Sequence, residues 1–298
     1  AMGVGAIATS PAQAGSLRNA TIGGTAASDY LIYDANTENT YVLPTTSTNI
    51  TANLKKVLGG SATSPTGNVE LRASSEKAGF DFNLNTTLSG TIGGKTLTLS
   101  SLTASDWSSS YQGTTFGQFW FNEALSANKI ILSSTQRGQL FNIFTNYGGF
   151  QRFSDPNISY VNQDDTTGKI SIGLAGHFNA TPLLLESVNA YLADPRIPLA
   201  SKTVVATLKD TLAKLSIQAS EIVKYSYDGG DYKYLFSFKA TESGLIESKD
   251  KISHSGNYEV YIQGTPLQTS QSVPEPSIVF GILGVAGILT TQRKLKNK

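Results

Sequence analysis

Apolar and polar residues alternate in short runs over residues 17–122 of the chain. This alternation is typical of β-strands that bury one face and expose the other. Residues 35–39 and the pair Gly93-Gly94 are turn sequences that separate such runs, so each predicts a β-hairpin. The predicted strands are residues 29–34, 40–43, 68–73, 79–84, 87–92 and 95–99.

The apolar spacing lengthens to a helical period in the middle of the chain. Helices are predicted from residue 134 to the pair Gly148-Gly149, over residues 182–192 with Pro182 in the first turn, and over residues 204–215. Strands are predicted again at residues 170–174, 222–227, 232–238 and 258–262. Strands, then helices, then strands predict one α+β domain over residues 15–262. We expect a β-rich, sandwich-like ectodomain in which the central helical block caps a sheet.

Composition excludes several kinds of site. The chain of 298 residues contains no cysteine, so it can form no disulfide, no thiolate metal site and no cysteine nucleophile. Its formal net charge of +1 argues against a nucleic-acid-binding surface. Serine, threonine, asparagine and glycine are abundant, as in extracellular β-rich proteins with polar turns.

The C-terminal 26 residues have a three-part pattern. The motif Pro274-Glu275-Pro276 is expected to be extended, because proline fixes its own φ and disfavours helix in the residue before it. No charged residue lies between Glu275 and Arg293, and residues 278–291 are predicted to form a short transmembrane helix. A basic tail follows, and the positive-inside rule places it in the cytoplasm. The basic residues are Arg293, Lys294, Lys296 and Lys298.

This order of Pro-Glu-Pro, short apolar helix and basic tail resembles a PEP-CTERM sorting signal of exported bacterial proteins. The resemblance covers residues 273–298 alone, after a polar linker at residues 263–272. It implies cleavage near the motif by an exosortase of the cytoplasmic membrane. By this resemblance Pro274, Glu275 and Pro276 are recognition residues, and Arg293 opens the basic tail. The serine-, threonine- and asparagine-rich composition resembles that of cyanobacterial members of the group.

The N-terminal residues 1–14 resemble the end of a secretory signal peptide. Ala12 and Ala14 provide a small-x-small pattern, and Pro11 would break a helix just before it. Cleavage by signal peptidase is therefore predicted between Ala14 and Gly15. The alternative is a flexible tail rich in alanine and glycine.

Polar residues that could carry chemistry are few. His177 and His254 are the only histidines, and no metal-binding spacing surrounds either, so both are predicted to be structural or exposed. Asp228 and Asp231, like the pair Asp164-Asp165, could contribute to a calcium site, but two acids on a turn are too few ligands. A role in turn geometry is preferred for all four. No catalytic residue, metal or cofactor is predicted.

The densest aromatic cluster can be interpreted in two ways. It comprises Trp107, Tyr111, Phe116, Phe119, Trp120 and Phe121. An exposed cluster would offer a glycan-binding face, whereas a buried one would belong to the core. We interpret residues 119–121 as a strand, with Trp120 on the opposite face from its two neighbours and packed against the helices.

These patterns predict an exported protein that is anchored transiently in the bacterial cytoplasmic membrane and processed by exosortase. Its final location would be the cell surface or extracellular matrix, with a non-enzymatic structural or interaction role. Signal peptidase, exosortase and the membrane are the expected partners, with extracellular polysaccharide as a further candidate and no nucleic acid. The alternative is a polysaccharide-active hydrolase or a lectin-like module. A hydrolase requires a concave pocket with convergent carboxylates, and a lectin requires an exposed aromatic platform.

Overall fold

Two antiparallel sheets provide the framework of the protein. The computed structural model describes residues 15–267. The strands are β1 Gly15–Ser16, β2 Arg18–Gly23, β3 Tyr30–Ala35, β4 Asn39–Val42, β5 Gly67–Leu71, β6 Thr87–Ile92, β7 Lys95–Ser100, β8 Ser110–Tyr111, β9 Thr114–Thr115, β10 Asn157–Gln163, β11 Lys169–Gly176, β12 Val223–Tyr227, β13 Lys233–Leu235, β14 Thr241–Glu242, β15 Ile246–Glu247 and β16 Gly256–Gln263. The helices are α1 Ile50–Val57, α2 Ala104–Ser108, α3 Phe116–Ala127, α4 Ser134–Asn146, α5 Thr181–Ala193 and α6 Leu199–Leu212.

The larger sheet has nine strands, with the main order β14-β16-β11-β10-β5-β3-β4-β15 and with β1 paired to β10. All its pairs are antiparallel except β15 with β4. The smaller sheet has the order β13-β12-β7-β6-β2. Its β6–β7 hairpin turns at Gly93 and Gly94, whose φ angles of 57° and 76° are unfavourable for residues with a side chain. The predicted glycine turn is therefore confirmed.

The predicted sandwich is wrong, because the nine-stranded sheet curls into a half-barrel. A register shift between Ile158 and Tyr160 interrupts the β10–β11 ladder, and such bulges bend and twist a sheet. Gly173 lies at this point, where a Cβ atom would collide with the Tyr160 ring. Short strand patterns in the sequence do not encode this curvature.

The fold class that we expected also included a transmembrane helix at residues 278–291. No helix within residues 15–267 is long and apolar enough to cross a membrane. The segment 278–291 itself lies outside the described residues, as do Ala12, Ala14 and the sorting-signal residues. For residues 15–267 the fold class is corrected to an α+β half-barrel with six helices.

Two apolar clusters form the core. The first contains residues of both sheets and α1, such as Ile32, Leu54, Val69 and Leu99. The second is rich in aromatic residues and lies among α2 to α6. The helical block thus has a core of its own, so it does more than cap a sheet.

Local patterns predicted nine of the sixteen strands and three of the six helices within residues 15–267, and they missed α1, α2 and the central strand β10. The predicted hairpins at residues 29–43 and 222–238 are β3–β4 and β12–β13, and the three predicted helices are α4, α5 and α6. Helix α4 begins with a capping box in which the Ser133 hydroxyl accepts from the Gln136 N–H. The last helix begins earlier than predicted, at Leu199.

Two predicted strands are wrong. Residues 79–84 form turns, where Arg72 donates to the Asp81 carbonyl at 2.6 Å and stacks on the Phe80 ring. Residues 119–121 belong to α3, whose N-cap Thr115 accepts from the Gln118 N–H. Trp120 is nevertheless fully buried, so its predicted place in the core is confirmed.

Candidate functional site

A pocket of about 470 Å³ opens on one face of the nine-stranded sheet. In strand β5, Val69 and Leu71 point into the first apolar cluster, and Glu70 between them lines the pocket. Strand β3 repeats this alternation, with Ile32 in the core and Leu31 and Tyr33 in the pocket. The period of two in each strand therefore separates the core face from the pocket face.

Strand register brings polar groups together on the pocket face. Glu70 lies opposite Asn157 of β10 on one side and opposite Leu31 of β3 on the other. Directly opposite residues have Cβ atoms about 5 Å apart, so Glu70 and Asn157 are close neighbours. The Tyr33 hydroxyl donates a hydrogen bond of 3.0 Å to the Glu70 carboxyl group.

Asn157 connects Glu221 to a histidine. The main-chain N–H of Asn157 donates to Glu221 Oε2 at 2.9 Å, and its side-chain amide lies 3.2 Å from the same oxygen. His254 Nε2 lies 3.3 Å from Asn157 Oδ1, and its Nδ1 lies 2.7 Å from the Thr40 hydroxyl. Glu221 precedes β12 and His254 precedes β16, so this chain of contacts joins distant parts of the sequence.

Asp155 is a deeply buried carboxyl group of the pocket, with 6% of the residue exposed. The Ser75 hydroxyl donates to its Oδ2. Its Oδ1 is buried and has no hydrogen-bond partner in the described part of the chain. A buried carboxyl oxygen without a donor is energetically costly, and such groups often mark functional sites.

Further charged groups line the edge of the pocket. Arg152 lies 2.7 Å from Glu76 and also pairs with Glu186 of α5. Glu247 accepts the main-chain N–H groups of Lys249 and Asp250. The three central carboxyl groups, those of Glu70, Asp155 and Glu221, form no ion pair with Arg152. The Arg152 charge acts on Asp155 from a distance and opposes the rise of its pKa.

Burial changes the ionisation of the central groups. It raises the pKa of Glu70 to about 8, and the negative charge of Asp155 adds to this shift. Burial also raises the pKa of Asp155, and it raises that of Glu221 with a contribution from the Asp155 charge. The pKa of His254 is lowered to about 4 by burial, so this imidazole is neutral at pH 7. At pH 7 the pocket therefore combines Glu70, which is mostly protonated, with a neutral His254.

This arrangement has the elements of acid–base chemistry. A protonated carboxylic acid can donate a proton to a leaving group, and an adjacent carboxylate can activate water. Neighbouring carboxyl groups repel one another when ionised, so they do not all lose their protons at the same pH. Such a cluster therefore contains a protonated acid and an ionised carboxylate together. A single metal ion is a poorer match, because no three histidine or acidic side chains within residues 15–267 are placed to hold one.

Of the polar residues singled out in the sequence, the two histidines lie in the pocket, whereas Asp164 and Asp228 lie in turns. His177 and His254 both line the pocket, and His254 is buried. Asp164 instead accepts the N–H groups of Thr166 and Thr167 within a turn. Asp228 has a φ of 54° at the β12–β13 turn, as expected for turn geometry.

Sequence reasoning missed the three central carboxyl groups. Glu70 was visible only as the polar position of an alternating strand, and nothing distinguished Asp155 or Glu221. The aromatic cluster does not form the platform of a lectin: Trp107, Phe116, Trp120 and Phe121 are buried, and Tyr111 and Phe119 are half-buried.

No protein-family model, curated protein or solved structure matches this chain.

Proposed function

We propose that this protein is an exported hydrolase that acts on polysaccharide at the bacterial surface. The observation that carries the proposal is the convergence of Glu70, Asp155 and Glu221 in one pocket. A hydrolase requires such a pocket, and its presence is the reason to favour a polysaccharide-active enzyme over a purely structural role.

The roles of the carboxyl groups follow from their surroundings. Glu70 is half-buried and protonated near neutral pH, so it suits the general acid that protonates the leaving glycosidic oxygen. Asp155 and Glu221 lie close enough for the charge of one to raise the pKa of the other. The member that ionises first would act as the base for water. The Ser75 hydrogen bond favours ionisation of Asp155.

The proposal is tested by measuring new reducing ends after incubation with a panel of bacterial polysaccharides. Glu70→Gln keeps the size of the side chain but removes the transferable proton. We expect this variant to lose about 100-fold or more of the rate, the usual contribution of a general acid.

Glu123→Gln is the matched control, because Glu123 is an exposed glutamate on α3 outside the pocket. It should retain the parent rate. Equal rates for Glu70→Gln and Glu123→Gln would contradict the assigned role, and an absence of reducing ends from every polysaccharide would contradict the proposed reaction.

The export part of the proposal rests on the terminal motifs. We expect the mature protein from its native host to lack the segment that follows Pro276, and intact mass spectrometry measures this directly. A Glu275→Ala variant should retain the tail in a larger fraction of molecules. A mature parent protein that still contains Lys298 would contradict processing by exosortase.

A further inference from the structure

The central carboxyl groups have no cationic partner. Among residues 15–267, no ion pair includes Glu70, Asp155 or Glu221. Three cationic side chains, Lys77, Arg152 and Lys249, line the pocket together with six acidic ones, so acidic groups are in excess. Arg152 pairs with Glu76 and Glu186. The pocket can therefore accept a positive charge from outside.

Asp155 provides a second, independent observation. Its Oδ1 is buried in the wall of the pocket and accepts no hydrogen bond from residues 15–267. The Ser75 hydroxyl satisfies only the other oxygen. A ligand with several N–H donors could satisfy this carboxyl group and compensate the charges of its neighbours.

The size of the pocket and the arrangement of its side chains favour an organic cation over a metal ion. A bare metal ion requires several ligands around one point, and no three acidic or histidine side chains in the described ranges meet this condition. The volume of about 470 Å³ has room for an organic ligand. An ammonium group carries three donors that can address carboxyl groups spread over a wider area.

We propose that the pocket recognises a primary ammonium group, and that its substrate is a glycan with free amino groups, such as a polymer of glucosamine. This inference rests on the proposed hydrolase function for its glycan part. Asp155 and Glu221 would share the ammonium group, and its positive charge would favour their ionised forms. The pair has four carboxyl oxygens for three N–H donors, so an oxygen that the ammonium group leaves free would remain the base for water. Glu70, which accepts a hydrogen bond from the Tyr33 hydroxyl, would lie beside the glycosidic bond and protonate its oxygen.

Calorimetric titration of the full chain with a glucosamine tetrasaccharide tests this inference, with the N-acetylated tetrasaccharide as the matched ligand. The amine form should bind at least about 10-fold more tightly, since acetylation removes the charge and two of the donors. Equal affinity for both ligands, or binding of neither, would overturn the inference.

Two pocket variants test whether Asp155 and Glu221 bind the ammonium group. Asp155→Asn and Glu221→Gln keep the side-chain sizes and should each weaken binding of the amine tetrasaccharide by about 10-fold or more. Glu123→Gln should leave it unchanged. Thermal melting establishes that each variant is folded. Wild-type affinity in both folded pocket variants would overturn the inference.

Two outcomes separate this inference from the proposed hydrolysis. Selective binding of the amine tetrasaccharide without cleavage would support ammonium recognition while contradicting the hydrolase. Cleavage of acetylated but not amine-bearing polymers would support the hydrolase and overturn ammonium recognition. Spermidine is the third probe: if it binds while the tetrasaccharide does not, the glycan part is wrong.

Discussion

Replacing Trp120 with alanine should lower the free energy of unfolding by about 3–5 kcal/mol, the usual cost of truncating a buried tryptophan. Trp120 is 0% exposed. Its ring centroid lies 4.9 Å from that of Phe153 and 5.5 Å from that of Trp107. Helices α3 to α6 surround this site, so the truncated side chain would leave a cavity that their packed backbones cannot easily fill.

Urea denaturation measures this loss, and two variants serve as controls. Phe119→Ala changes a half-buried ring on the same helix and should cost clearly less. Trp120→Phe retains an aromatic ring and removes a buried Nε1 that has no hydrogen-bond partner in the described residues, so it should also cost less. A Trp120→Ala protein as stable as its parent would contradict the core assignment. If that variant also lost glycan binding, Trp120 would belong to a binding surface.

The free energy of unfolding should fall as the pH rises from 6.5 to 8. The pKa of Glu70 is raised from 4.5 to about 8 in the folded protein. Between these values the folded state holds a proton that the unfolded state has released. Stability from this group is therefore present below pH 4.5 and is lost as the pH rises through about 8. Glu70 alone should account for about 1–2 kcal/mol between pH 6.5 and 8.

Denaturation of the parent and of Glu70→Gln at several pH values tests this expectation. The variant cannot ionise at this position, so its stability should fall less steeply with pH. Asp155 and Glu221 contribute in the same direction, because burial raises the pKa of each. Identical slopes for parent and variant would contradict the raised pKa of Glu70.

His254 should have the opposite effect in a more acidic range. Its pKa falls from 6.5 to about 4 on folding, because burial disfavours the charged imidazole. Its contribution to stability is present above pH 6.5 and is lost as the pH falls towards 4. The range from pH 6.5 to 8 therefore isolates the carboxyl groups from this histidine.

Local sequence patterns succeeded where short-range physics decides the conformation. The pair Gly93-Gly94 predicted a hairpin because a tight turn requires left-handed backbone at both positions. The spacing of Leu140, Ile143 and Phe144 predicted α4 because one face of that helix must be buried. The same reasoning failed for residues 119–121, since three consecutive aromatic residues suit either a strand or a buried helix.

By itself, then, the sequence determined the hairpin turns, helices α4 to α6, the α+β class and the exclusion of cysteine chemistry. Each of these follows from residue identity or from spacing within one element. Only the tertiary structure decided the curl of the sheet and the carboxyl pocket. Glu70, Asp155 and Glu221 are far apart in the chain, and their positions depend on strand register. Their pKa values depend on burial, which exists only after the strands and the helical block have packed together.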